Sequence, residues 1–250
     1  YLKEMKEYTS DYLEKHLNLE FKARHIVNDN PNDISDTEYG NNDVIGPDAF
    51  HGSFVAGIIA AQRNNKIGID GIANHVKIMA IRAVPKGDEY DKDIALAIRY
   101  AVDNGAQVIN MSFGKEFSPQ KQWVDEALAY ASTHNVLVVK AAGNDAVNID
   151  EIMQYPSDIL DNGNELGNVI TVGALSSRFD LDMVGDFSNF GRKNVDLFAP
   201  GVDLISLYPD DKYDSGSGTS FASPVVAGVA ALIWSYYPEL SAEDLKEVIL

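Results

Sequence analysis

Cysteine is absent from the 250 residues, which excludes disulfides, thiolate metal sites and a cysteine nucleophile together. Its absence suits an oxidising or a reducing compartment equally and selects neither. Positive charge is scarce: 20 Lys and Arg stand against 38 Asp and Glu, a formal net charge of -18. Such a surface repels polyanions, which argues against nucleic acid and anionic membrane as partners. The acidic residues are spread along the chain, the pattern of a solvated surface and not of a binding tail. No apolar run is read as reaching membrane-spanning length and no signal-peptide pattern is visible, so membrane insertion is not expected.

With 45% apolar residues the chain can bury a large core, and one α/β domain is the expectation. Short β-rich runs at 76–81, 107–111, 136–139 and 168–172 alternate with helical patterns at 93–102 and 124–133. That alternation predicts βαβ units and a mostly parallel sheet with helices on both faces, with sites beyond the carboxyl ends of the strands. Ahead of this lie an amphipathic helix from Leu2 to about Leu19, with Leu2, Met5, Tyr8, Tyr12 and Leu13 on one face, and a polar loop at 28–48. Residues 1–41 are therefore expected as a lead-in and 42–250 as the main domain. The segments 187–191 and 197–203 read as turn-punctuated core without chemistry. A helix opens at Ser241-Ala242-Glu243-Asp244. The chain starts at Tyr1 inside a charged helical pattern and ends at Leu250 inside a helix, so both ends are expected to be truncations.

Two segments set a chemically active residue at the head of an apolar run. Gly218-Thr219-Ser220-Phe221-Ala222-Ser223-Pro224 follows a Gly/Ser-rich turn and opens into the apolar stretch Val225–Trp234. Ser220 is thus delivered to a helix N-terminus, where unpaired amides and the helix dipole favour an oxygen that becomes negative. Pro224 suits the first turn, where its missing N–H costs little. Upstream, His51-Gly52-Ser53-Phe54-Val55-Ala56-Gly57 opens a second small, apolar helix, also expected to be buried. Alone, each reads as structure: an N-cap serine and a histidine beside a core helix. Together they supply a nucleophile and a base, because a serine hydroxyl attacks poorly until an imidazole takes its proton.

Two strand-end turns extend the constellation. Ala141-Ala142-Gly143-Asn144 sets a carboxamide N–H₂ at a carboxyl end, suited to an oxyanion, although Gly-Asn is also common in plain turns. After Met111, Ser112-Phe113-Gly114 offers backbone that could pair an extended peptide. His16, His25, His75 and His134 have no motif around them and read as surface residues. The acidic stretches 28–48 and 158–165 could hold calcium but lack regular ligand spacing, and a solvated loop is the plainer reading of each. An α/β-hydrolase elbow is excluded because Ala222, not glycine, stands two places after Ser220. A dinucleotide fingerprint at Gly216-Ser217-Gly218 fails on Phe221.

From about Asn42 onward these motifs, in this order, resemble the subtilisin-like serine proteases. The serine box Gly-Thr-Ser-x-Ala-x-Pro is matched in full by Gly218 to Pro224. The histidine box is matched by His51 to Gly57, with Ser53 for threonine and Phe54 for the second histidine. The resemblance implies Ser220 as nucleophile, His51 as base and Asn144 as oxyanion donor. Around them it implies Ser112, Phe113, Gly114, Ala142 and Gly143 as the substrate-binding backbone, with Lys115 where the family often has glycine. It implies an endopeptidase acting on protein or peptide substrates, with no cofactor required, structural calcium allowed, a prodomain as a further partner, and a secreted or cell-envelope location. One part is missing. The family's strand-end aspartate precedes the histidine box, and Asp29, Asp33, Asp36 and Asp48 sit in polar loop with no buried strand before them. The aspartate, with the N-terminal strand or strands that carry it, is expected upstream of Tyr1. A peptide-binding module on a protease scaffold is the alternative.

Overall fold

Val136-Leu137-Val138-Val139 and Asn168-Val169-Ile170-Thr171-Val172 are near-continuous apolar runs, as required of strands covered on both sides. In the computed structural model, which describes residues 5, 6, 9, 10, 12–18, 20–84 and 89–250, they form the middle of a four-stranded parallel sheet. Its strands are β1 (Val108–Met111), β2 (Leu137–Ala141), β3 (Val169–Leu175) and β4 (Leu197–Pro200), neighbours in that order. Five α-helices are described: α1 (Phe50–Ala60), α2 (Asp91–Asp103), α3 (Lys121–Thr133), α4 (Thr219–Tyr236) and α5 (Ala242–Ile249). A hairpin of β5 (Leu204–Tyr208) and β6 (Lys212–Gly216) stands apart from the sheet.

Side-chain alternation along the strands sends successive residues to opposite faces. Val138 and Val169 join Ile94 and Ile98 of α2 and Val124 and Leu128 of α3. Leu137, Val139, Ile170 and Val172 meet Ala222, Val226 and Ala230 of α4 and Leu245 of α5 on the other face. The expected α/β architecture, helices on both faces of a parallel sheet, is what forms. Fully burying one Val or Leu side chain is worth about 1.5–3 kcal/mol, so these two layers dominate the favourable side of folding. α5 starts with a capping box in which the Ser241 hydroxyl accepts from the Asp244 amide at 3.0 Å and the Asp244 carboxylate accepts in return at 3.1 Å.

Several expectations are corrected. Residues 76–81 form no strand; Ile78, Met79 and Ile81 are exposed, and among the described residues no strand pairs with the segment. The expected N-terminal helix is helical where it is described, at residues 5, 6, 9, 10 and Tyr12–His16, but Met5, Tyr12 and Leu13 are exposed; Leu2, Tyr8 and Leu19 lie outside the described residues. The segment at 197–203 supplies a sheet strand. α4, with 18 residues, is long and apolar enough by composition to span a membrane, contrary to the sequence reading; its apolar side chains pack on the sheet.

The polar loop at 28–48 is not simply solvated either. Asp29 is buried, with its carboxylate bound by the buried Lys92 of α2 and by Arg24. Arg24 also makes two hydrogen bonds to Asp93, at 2.6 and 2.7 Å, and the Lys92 ammonium donates to the Asn30 carbonyl at 2.9 Å. The loop is thereby pinned to the first turn of α2. Breaking one partner of such a pair leaves an uncompensated buried charge. Asp29→Ala is expected to lower stability by about 3–5 kcal/mol in urea unfolding, and adding Lys92→Met should restore part of that loss.

Candidate active site

α4 begins at Thr219, six residues before the point read from the apolar run, so Pro224 lies inside the helix and not in its first turn. That shift has a chemical consequence. A helical carbonyl accepts from the amide four residues on, and for Ser220 that residue is Pro224, which has no N–H. The Ser220 carbonyl instead accepts the Ser112 hydroxyl at 2.7 Å. In return the Ser220 hydroxyl donates to the Ser112 carbonyl at 3.1 Å. Asn110 holds this latch from β1: its Nδ2 donates to the Ser112 hydroxyl at 2.9 Å, and its Oδ1 accepts from Ser223 at 2.7 Å. The Ser220 amide makes no hydrogen bond among the described residues, as expected at a helix N-terminus.

Asn144 follows β2 in a turn that runs through Gly143 at φ +104, a left-handed conformation open to glycine. A Cβ there would also overlap the Asn189 carboxamide. Asn189 fills the turn: it donates to the Ala142 carbonyl at 2.9 Å and accepts from the amides of Asp145 and Val147 at 2.9 and 3.1 Å. The sequence reading had assigned its segment no chemistry; the one available signal was a polar residue between Phe187 and Phe190. Asn144 Oδ1 is committed, accepting from the Thr219 amide and hydroxyl, each at 2.9 Å, while the Thr219 hydroxyl accepts from the Gly143 amide at 3.1 Å. The Asn144 Nδ2 is left as the free donor beside Gly218 and the α4 N-terminus.

His51 is the second residue of α1, and this helix is only half-buried, through Phe54, Gly57 and Ile58, where full burial was expected. Its ring lies 5.6 Å from the ring of Phe221, the residue after Ser220. Phe221 in turn packs 4.1 Å from Phe54, so aromatic contacts tie the two helices together. The face against Phe221 is desolvated while the rest of the ring meets solvent, and burial lowers the His51 pKa below its ordinary value, with Asp48 opposing. Among the described residues no hydrogen bond joins His51 to Ser220 and no carboxylate is paired to the imidazole.

Of the expected substrate-binding residues, Ser112 and Gly143 stand at this rim, Gly114 is exposed and Phe113 leans on the α2–α3 core. Ala142 is buried, with its carbonyl spent on Asn189. Of the histidines set aside, His25, His75 and His134 are exposed, and the side chain of His16 lies outside the described residues. Lys140, unremarked in the sequence reading, is buried on β2; burial holds its ammonium down to about 8, against the pull of Asp158 and Asp196. Burial raises the Asp158 carboxyl. Among the described residues no three His, Asp or Glu side chains gather as a metal site, in the two loops considered for calcium or elsewhere.

Residues 9–250 match the sequence profile of the subtilase family. The "Thermophilic serine proteinase" of Bacillus sp. (strain AK1) is 42% identical over 187 residues, covering 74% of this chain and 42% of that protein. The "Cell wall-associated protease" of Bacillus subtilis (strain 168) is 36% identical over 218 residues, covering 87% of this chain and 22% of its own length. The chain thus spans less than half of either relative. Among solved structures, "S41 Psychrophilic Protease" superposes with a TM-score of 0.71 at 32% identity, over 85% of this chain and 71% of its own.

The environment of His51 makes a prediction that needs no turnover. A histidine NMR titration should place its midpoint below the ordinary 6.5, and Asp48→Asn should lower it further by removing the opposing charge. A midpoint at or above 6.5 contradicts the desolvated placement against Phe221.

Proposed function

The chain belongs to the subtilase family, and from that premise we propose that it acts as a serine endopeptidase by acyl transfer. The observation that carries this reading is the gathering of Ser220, the free Nδ2 of Asn144 and His51 at one helix N-terminus. The Ser220 hydroxyl leaves the Ser112 carbonyl and attacks a peptide carbonyl carbon while its proton passes to His51. The oxygen, now negative, is held by the Ser220 amide and Asn144 Nδ2. Collapse of this intermediate breaks the C–N bond, and His51 gives its proton to the departing amine. Water then enters by the same steps in reverse order of roles, with His51 as base, and frees the acyl group.

The acid that orients His51 belongs, on this reading, to a strand not among these residues. Among the described residues the outer edge of β1 is unpaired, and the segment with Ile78, Met79 and Ile81 exposed has no strand partner. A parallel strand added beside β1 would bring its carboxyl end to the rim where Ser220 stands. Residues 42–250 then form the peptidase domain, with the polar lead-in anchored on α2. Likeness to a cell wall-associated protease favours an exported or envelope location.

A second reading rests on a specific observation: the Ser220 hydroxyl is bound to the Ser112 carbonyl, and among the described residues no carboxylate is paired to His51. A catalytically impaired peptide-binding module would look this way. Labelling of the full-length protein by a fluorophosphonate separates the two. Stoichiometric adduct on Ser220 supports the peptidase; a folded, unlabelled protein that still binds extended peptides supports the module. In the peptidase, Ser220→Ala should abolish cleavage with the fold intact, and retained activity sinks the assignment. Asn144→Ala should lower kcat by about 10²–10³, the loss known for the oxyanion asparagine of subtilisin.

A further inference from the structure

The segment 187–191, which reads in the sequence as core without chemistry, carries two buried polar side chains: Ser188 is 2% exposed and Asn189 0%. Such side chains are kept for the hydrogen bonds they make, and these run in two directions. The Ser188 hydroxyl accepts from the Ala174 amide of β3 at 3.0 Å and donates to the Asn189 carbonyl at 2.9 Å, which anchors the segment on the sheet. From that anchor Asn189 reaches the turn after β2. Its amide donates to the Gly143 carbonyl at 2.9 Å. Its Nδ2 donates to the Ala142 carbonyl at 2.9 Å and to the Asp145 carboxylate at 3.4 Å, and its Oδ1 accepts from the amides of Asp145 and Val147. The flanking backbone adds three bonds: Ala146 amide to Phe187 carbonyl at 2.9 Å, Phe190 amide to Val147 carbonyl at 3.0 Å, and Ile149 amide to Phe190 carbonyl at 2.7 Å.

The turn held in this way would not keep its shape alone. Gly143 and Ala146 both stand in the left-handed region, at φ +104 and +54. Ala146 carries a Cβ, so its conformation is strained and persists only where the surroundings over-determine it. Residues 144–146 are exposed, which leaves the bonds from 187–190 to do so in place of packing. This turn carries Asn144, whose Oδ1 is held by Thr219. Thr219 thus fixes one end of the Asn144 side chain, and Asn189 fixes the backbone from which it springs. Both ends must be held for the free Nδ2 to be aimed.

We propose that Asn189 is a positioning residue for the oxyanion: it holds the turn so that Asn144 Nδ2 stands where negative charge develops, and does not itself touch substrate. The inference rests on the peptidase reading above. An oxyanion donor counts by its distance from an oxygen that becomes negative only in the transition state. A small misplacement caused by a substitution away from the chemistry can cost about 10²-fold. Loss of Asn189 is therefore felt in kcat and hardly in KM.

The test is a double-mutant cycle in the full-length protein with one fluorogenic peptide. Asn189→Ala should lower kcat by about tenfold or more, with KM unchanged within about twofold. In the Asn144→Ala background the same replacement should cost less than about twofold, because the donor it positions is gone. Equal losses in the two backgrounds, or a loss carried by KM, mean a general structural role and overturn the proposal. Amide hydrogen exchange reads the clamp without turnover. In Asn189→Ala the Asp145 and Val147 amides should exchange at least about tenfold faster while those of β2 and β3 stay protected, and unchanged exchange at 145 and 147 overturns the clamp. Should Asn189→Ala not fold, Ser188→Ala enters the same cycle; it removes the anchor on β3 and keeps the Asn189 side chain. It should lower kcat about threefold, and not at all beside Asn144→Ala; no loss, or equal losses, overturns the proposal. A full-length protein that neither cleaves peptides nor takes a fluorophosphonate removes the peptidase reading and this proposal with it. One that cleaves, with additive losses in the cycle, removes this proposal alone.

Discussion

The Ser220 carbonyl lacks its ordinary helical donor four residues on, and the rim of the sheet is built around how that deficit is met. Pro224 creates it, Ser112 fills it, and Asn110 keeps Ser112 in place. An unpaired carbonyl in a partly buried helix start costs about 1–3 kcal/mol, so the contact is enforced by energy as well as by geometry. The result fixes the α4 N-terminus against the end of β1. From there Thr219 fixes the Asn144 carboxamide, and Asn144 and Asn189 together fix the turn after β2. A chain of hydrogen bonds from β1 through α4 to β2 thus sets the positions of Ser220 and Asn144, the proposed nucleophile and oxyanion donor, relative to each other.

Much of this was legible in the residues. The Val-rich runs at 136–139 and 168–172 specify doubly covered strands, because nothing else of that length hides so many β-branched side chains. The serine and histidine boxes singled out Ser220 and His51 as candidates because small residues and glycines crowd beside each, and the structure brings the helices that carry them together through Phe221. Residues 76–81 carry the same strand signal yet pair with no strand among the described residues, since strand formation depends on a neighbour that local sequence does not encode. The β5–β6 hairpin escaped notice because Lys212-Tyr213-Asp214-Ser215-Gly216 is polar and exposed, without the alternation of a half-buried strand.

The site was less legible than the fold. Asn189 matters through three hydrogen bonds to a turn more than forty residues away, and no local pattern announces such a contact. Lys140 is hidden by its context: within Val138-Val139-Lys140-Ala141 it looks like an interruption of a core strand. Its meaning depends on which long-range groups meet it, here Asp158 and Asp196. Lys92 and Asp29 show the same limit. Each reads as a surface charge, and only the packing of the polar loop on α2 makes them a buried pair.

The attachment of α1 carries a different kind of consequence. Its contacts are chiefly with α4 and β5, and the Ser206 hydroxyl of the hairpin donates to the Phe54 carbonyl at 2.7 Å. The histidine is therefore mounted outboard, on a helix and a small hairpin, while the serine heads α4, which packs directly on the sheet. Regions with fewer buried contacts open before the core does. On warming, the distance between the two mountings would widen while the sheet stayed whole, and on the proposed reading cleavage would be lost before the protein melted.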